Sequence, residues 1–176
     1  MRVIAGQWRG RRLRSPTGRT VRPTTDRVRE AWMSALGATV DGARVLDLFA
    51  GSGALGIEAL SRGASHCVFV EKSRKASDTI RANLAMLEAE DRARVIVGDT
   101  ARIVEKLDCQ EYDLALADPP YDRGLAERLI RSFLDDPFAR ELWVEHRTGE
   151  LNALPGLTGR RYGDTTLTTV RAPDEP

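Results

Sequence analysis

A chain of 176 residues with 41% hydrophobic, 30% charged and 6% aromatic content is sized for one sizeable core of a soluble globular protein. No apolar run approaches the roughly 20 residues of a membrane span, and Met1-Arg2-Val3-Ile4-Ala5-Gly6 is too short in apolar residues for a signal peptide. Net charge is only +1, and Cys67 and Cys109 sit in no metal or redox spacing, so a reduced cytoplasmic chain with no metal is expected.

The charge is unevenly placed. Between Arg2 and Arg29 there are nine arginines and a single acid, Asp26. Arginine presents a planar fork of donors suited to phosphates, and such clustering is the footprint of nucleic-acid contact. Residues 1–22 read as a basic extension: Arg2–Gly6 and Arg12–Arg14 can pair as a hairpin around Gly10, with Trp8 exposed or covering the join. Residues 23–176 then form the main domain. Thr24 or Thr25 and Asp26 suit the start of a helix whose apolar face is Val28, Ala31, Trp32, Ala35 and Leu36. Its opposite side leaves Arg27, Arg29 and Glu30 in water or against a ligand.

From Arg44 short apolar strands alternate with amphipathic helices. The strands are Val45–Phe49, Cys67–Val70, Val95–Val97, Tyr112–Ala117 and Leu142–Glu145, and Arg160–Tyr162 with Thr166–Val170 can close a hairpin about Gly163-Asp164. Helices follow the glycine loop to Arg62, carry Ile80, Leu84 and Leu87, span Ala101–Lys106, and carry Leu125, Leu129 and Phe133. The pattern predicts an α/β fold: a mainly parallel sheet covered on both faces, with an antiparallel C-terminal edge.

Ligands of such sheets lie beyond the carboxyl ends of the strands, where strand order reverses. Four strand ends carry chemistry: Asp47 with Gly51-x-Gly53-x-x-Gly56, then Glu71, Asp99, and Asp118-Pro119-Pro120-Tyr121. The glycine spacing lets backbone approach a ligand, and Glu71 is placed to accept from ribose hydroxyls, features shared by NAD and S-adenosylmethionine sites. An acid before the glycine turn suits a ligand with a positive amino group and would repel a pyrophosphate. Asp99 can accept from an adenine amine, cap the next helix, or do both. The prolines end their strand because they lack an amide donor, presenting an acid, carbonyls and a ring to a flat base with an exocyclic amine.

Val45-Leu46-Asp47-Leu48-Phe49-Ala50-Gly51-Ser52-Gly53 resembles motif I of class I S-adenosylmethionine-dependent methyltransferases, and Asp118-Pro119-Pro120-Tyr121 resembles their amino-methylating motif. With Arg22-Pro23-Thr24-Thr25-Asp26-Arg27-Val28-Arg29-Glu30 and Tyr162-Gly163-Asp164-Thr165, the chain resembles the RsmD family of 16S rRNA (guanine-N2)-methyltransferases nearly end to end. The resemblance implies a seven-stranded Rossmann-like sheet, S-adenosylmethionine as donor, and a small N-terminal extension that helps bind RNA. It implies action on 16S rRNA within small-subunit particles, and a monomer is expected. Cofactor binding then falls to Asp47, Phe49, Gly51, Gly53, Glu71 and Asp99, and substrate contact to Arg9, Arg11, Arg12, Arg22, Thr25, Arg27, Arg29 and Pro120.

In that reading the Asp118 carboxylate and the Pro119 carbonyl accept hydrogen bonds from the exocyclic amine and Tyr121 stacks on the base. Other classes fit less well. A cytosine-C5 enzyme needs a nucleophilic cysteine beside a proline, and neither Cys67 nor Cys109 has one. A DNA amino-methyltransferase acting on adenine or cytosine is the main alternative, but 176 residues leave no room for its usual recognition domain. His66 and His146 are read as structural.

Overall fold

The computed structural model describes residues 1–15, 26–108, 111–121, 123–151, 154 and 156–173. Its strands are β1 (Arg44–Leu48), β2 (His66–Glu71), β3 (Ala93–Val97), β4 (Leu114–Ala117), β5 (Glu141–Arg147), β6 (Thr158–Tyr162) and β7 (Thr165–Arg171). The helices are α1 (Asp26–Leu36), α2 (Ala54–Ser61), α3 (Arg74–Met86), α4 (Thr100–Val104) and α5 (Leu125–Asp135). One seven-stranded sheet has the order β3-β2-β1-β4-β5-β7-β6. Strands β1 to β5 pair in parallel, while β7 pairs antiparallel with both β5 and β6, giving the antiparallel edge expected of the C-terminal hairpin.

Alternation along β1 divides the core, because successive side chains point to opposite faces. Val45 packs on one face with Trp32, Met33 and Leu36 of α1, Leu55 and Ile57 of α2, and Ile80 and Leu84 of α3. Leu46 and Leu48 pack on the other with Val104 of α4 and Ala126, Leu129, Ile130 and Phe133 of α5. Every residue of α2 is buried, which its nearly unbroken apolar sequence anticipates.

The first face is closed by residues 1–15. The expected hairpin is reduced to one antiparallel bridge, Arg2 to Arg12, with Val3 N donating to Arg11 O and Gly10 N to Val3 O. Val3, Trp8 and Leu13 belong to the same core cluster as α1 to α3, so Trp8 covers the join. Glu58 of α2, wholly buried, accepts from Ile4 N at 2.8 Å, Ala5 N at 3.0 Å and Arg62 Nε at 2.9 Å. Ser61 Oγ accepts from Trp8 N and donates to Ala5 O. A basic segment is thereby held by backbone hydrogen bonds, leaving its arginine heads available at the surface. Among the described residues no helix is long and apolar enough to cross a membrane.

Candidate active site

Strand order reverses between β1 and β4, and the register brings the chemistry to one rim. Leu48 pairs with Val70 on one side and Ala117 on the other, and Glu71 pairs with Val97. The residues that follow, Phe49, Glu71, Asp99 and Asp118, therefore emerge side by side. Ala50 N donates to Val70 O and Gly98 N to Glu71 O, carrying the ladder just past the strand ends.

At Phe49 the chain leaves β1 with φ 57°, a left-handed conformation costly for a bulky residue and held here by its surroundings. Gly51, with φ +56°, donates its amide to Glu71 Oε2 at 2.8 Å, and Gly53 N closes the turn on Ala50 O. A Cβ on Gly51 would meet only the Phe49 carbonyl, at 3.9 Å, so the loop surface there is open to a ligand. Gly56 needs its missing side chain for another reason: a Cβ would run into the Phe69 ring and the Cys67 sulfur. That close approach lets α2 lie on β2.

Asp47, expected to meet a ligand's amino group, lies instead beneath α2, 1% exposed, with Oδ2 accepting from Gly56 N at 2.9 Å. It shares the α2 face with Val45 because two residues along a strand return to the same side. Burial, and then the charges of Asp118 and Glu71, push its carboxyl up to about 7 against the lowering pull of the Gly56 amide. Glu71 Oε1 accepts from Ser73 N at 2.7 Å, so two amides fix the carboxylate while each oxygen keeps a lone pair for a ligand hydroxyl. Asp99 holds the N-cap position of α4; its Oδ2 accepts from Lys72 Nζ at 3.0 Å, and this contact lowers its pKa. Several carboxylates around an open glycine loop favour a cationic nucleoside ligand over a pyrophosphate. These acceptors fit the ribose hydroxyls and amino groups of S-adenosylmethionine.

Beyond β4, Asp118 is half-buried, Pro119 buried and Pro120 exposed. The Tyr121 hydroxyl donates to Glu145 Oε1 at 2.5 Å and lies 3.1 Å from Thr165 Oγ1, while the Arg147 guanidinium stands 6.0 Å from the ring centroid. Burial and the Glu145 contact raise the phenol pKa. The other oxygen of Glu145 accepts from Trp32 Nε1 at 3.0 Å. Sequence reasoning missed Glu145, although it obeys the signal used for the other acids: it sits near the carboxyl end of a parallel strand. Asn83 of α3 was missed because a buried asparagine leaves no periodic mark. Its Oδ1 accepts from Arg14 N, and its Nδ2 donates to Arg14 O and Ser52 O, joining Arg14 of the N-terminal segment to the glycine loop.

The family model described as Conserved hypothetical protein 95 matches residues 1–168. The ribosomal RNA small subunit methyltransferase D of Escherichia coli K12 is 42% identical over 156 residues, covering 88% of this chain and 78% of that protein. The chain belongs to the ribosomal RNA small subunit methyltransferase D family. The solved structure of yhhF from Escherichia coli is 35% identical, with a TM-score of 0.83 and 97% of each chain covered. An RNA methyltransferase from Salinibacter ruber, solved with S-adenosyl-L-homocysteine, shares the fold at 18% identity, with a TM-score of 0.67 over 88% of this chain and 95% of that one.

The arginines named from sequence sit in different surroundings. Arg9, Arg11 and Arg12 are exposed; Arg11 Nη2 also donates to Met86 O, at the end of α3. Arg29, expected in water or against a ligand, is instead wholly buried, its Nη2 donating to Arg2 O at 2.8 Å. The N-terminal segment packs over that side of α1, which a single-helix periodicity cannot reveal. Arg22 and Thr25 lie outside the described residues, as do Cys109 and the side chain of Arg27. His146 is structural in its contacts, with Nε2 2.8 Å from Thr168 Oγ1 and Nδ1 2.9 Å from Arg147 O. Among the described residues no group of three or more His, Cys, Asp or Glu could hold a metal ion.

Proposed function

We propose that this protein transfers a methyl group from S-adenosylmethionine to the exocyclic N2 amine of a guanine in 16S rRNA, acting as a cytoplasmic monomer on small-subunit assembly particles. The observation that carries the reading is the Leu48–Ala117 register. It sets the open glycine loop beside Asp118-Pro119-Pro120-Tyr121 in a chain whose family methylates ribosomal RNA. Residues 1–22 serve as the RNA-contacting extension of a methyltransferase domain over 23–176.

Gly51, Gly53, Glu71 and Asp99 would hold the cofactor: the loop by backbone approach, Glu71 by the ribose hydroxyls, Asp99 by the adenine amine. Asp47 acts from below by fixing the end of β1 to the first turn of α2. When bound, the cofactor supplies an electrophilic methyl group on a sulfonium. The guanine amine is a weak nucleophile because its lone pair is delocalised into the ring. Hydrogen bonds from that amine to the Asp118 carboxylate and the Pro119 carbonyl favour a tetrahedral nitrogen, and the carboxylate stabilises the positive charge that develops there. The surplus proton leaves to Asp118 or water. Tyr121 stacks on the base, an interaction worth roughly 1–3 kcal/mol, and holding both reactants in line contributes much of the rate.

The test is to incubate the protein and labelled cofactor with unmethylated small subunits, free 16S rRNA and DNA, then identify the modified nucleoside by mass spectrometry. N2-methylguanosine in the small-subunit arm is expected, and a methylated adenine or cytosine would overturn the choice of base. Asp118→Ala should lower turnover by about 100-fold or more; wild-type turnover would remove Asp118 from the mechanism.

A further inference from the structure

Tyr121, Glu145, Trp32 and Thr165 come from four separate elements and meet in one hydrogen-bonded cluster. The Tyr121 hydroxyl donates to Glu145 Oε1 at 2.5 Å and lies 3.1 Å from Thr165 Oγ1, which can donate to it in return. Glu145 is only 4% exposed, and its second oxygen accepts from Trp32 Nε1 at 3.0 Å. A carboxylate is a costly group to bury, and an apolar side chain would fill the space more cheaply if packing were the need. What the carboxylate alone offers is two acceptors and no donor, so both Trp32 N–H and Tyr121 O–H must point at it. A ring tethered only through its backbone can swing about χ1; a ring also held at its para oxygen by two partners cannot.

We infer that Glu145 is a positioning residue which, with Thr165, holds the Tyr121 ring in the orientation that receives the target base, and that Trp32 ties this clamp to α1. The inference deepens the reading above and rests on Tyr121 being the stacking residue. It gives Tyr162-Gly163-Asp164-Thr165 a role, since the turn between β6 and β7 delivers Thr165, and Asp164 O accepts from Thr148 N at 2.9 Å to anchor that turn beside β5. It also explains why tyrosine, and not another ring, follows the two prolines.

A variant cycle tests the clamp. Glu145→Ala and Tyr121→Phe should each lower kcat/KM on small subunits about tenfold or more, since small misplacements of a positioned group are costly. The double variant should lose no more than the worse single variant, because both remove one interaction. Glu145→Gln should restore most of the rate: its carbonyl takes the Trp32 N–H, its amide donates to the phenol oxygen, and the phenol proton turns to Thr165. Calorimetric binding of S-adenosylhomocysteine should be unchanged throughout. Tyr121 ring order, from carbon-13 relaxation of labelled tyrosine, should fall in Glu145→Ala and not in Glu145→Gln. Additive losses, wild-type kcat/KM in Glu145→Ala, or unchanged ring order would overturn the inference. If Glu145→Ala does not fold, Thr165→Val with Tyr121→Phe closes the same cycle. Failure of the wild-type protein to methylate any RNA would instead overturn the proposed reaction, and ring order would still judge the clamp.

Discussion

Beneath α2, Asp47 is cut off from water, and burial together with the charges of Asp118 and Glu71 raises its carboxyl up to about 7, the Gly56 amide opposing. In the unfolded chain the same group gives up its proton near pH 4. Between those values the folded state holds a proton that the unfolded state has lost, so stability falls as pH rises through the window and levels off above about 7. Asp47→Asn keeps an oxygen for the Gly56 amide and does not titrate. Urea unfolding should show the variant gaining on the wild type by on the order of 1 kcal/mol per pH unit across that window; parallel profiles would contradict a raised Asp47. Gly56→Ala should destabilise by about 1–3 kcal/mol through overpacking, because its Cβ meets the Phe69 ring and the Cys67 sulfur. Thermal unfolding measures that loss.

At the scale of elements, α2 works as the hub. Its whole surface is buried, and its one buried acid, Glu58, receives two backbone amides of the N-terminal segment and the Arg62 guanidinium. Glu58→Ala leaves those donors without the acceptor and should cost about 3–5 kcal/mol, the range for breaking a buried charged pair. Limited proteolysis should then cut among residues 1–15 before the sheet unfolds. Asn83 makes the complementary link from α3, touching both Arg14 and the Ser52 carbonyl of the glycine loop. Asn83→Ala should weaken S-adenosylhomocysteine binding several-fold without altering the strand-end acids, read by calorimetry. Helix and strand order were legible from periodicity, since the 3.6 and 2 residue repeats act locally. These two side chains were not, because a buried polar residue breaks the apolar pattern without revealing its partner.

Over the whole molecule, the site and the basic segment differ in charge: Glu71, Asp99 and Asp118 stand at the strand ends, while Arg9, Arg11, Arg12 and Arg14 are exposed within residues 9–14. Phosphate contacts release counterions, so affinity for 16S rRNA should fall steeply with salt. Replacing Arg9 and Arg12 together by Gln should weaken binding at low salt and flatten the log–log salt slope by about 0.7–0.9 per lost contact, measured by filter binding. An unchanged slope would place the RNA elsewhere. Arg29→Gln should instead lower stability, because that side chain is buried and donates to Arg2 O.

The sequence by itself determined the alternation of strands and helices, the acids at the strand ends, the glycine loop and the Asp118-Pro119-Pro120-Tyr121 turn, because each is a local pattern with a local physical cause. Tertiary structure decided what those residues face. It turned Asp47 under a helix, buried Arg29 beside the N-terminal segment, and joined Tyr121 to Glu145, Thr165 and Trp32 across 24, 44 and, through Glu145, 113 positions. Partnerships over such separations depend on how strands pair and helices dock, and the spacing of residues along the chain does not encode them.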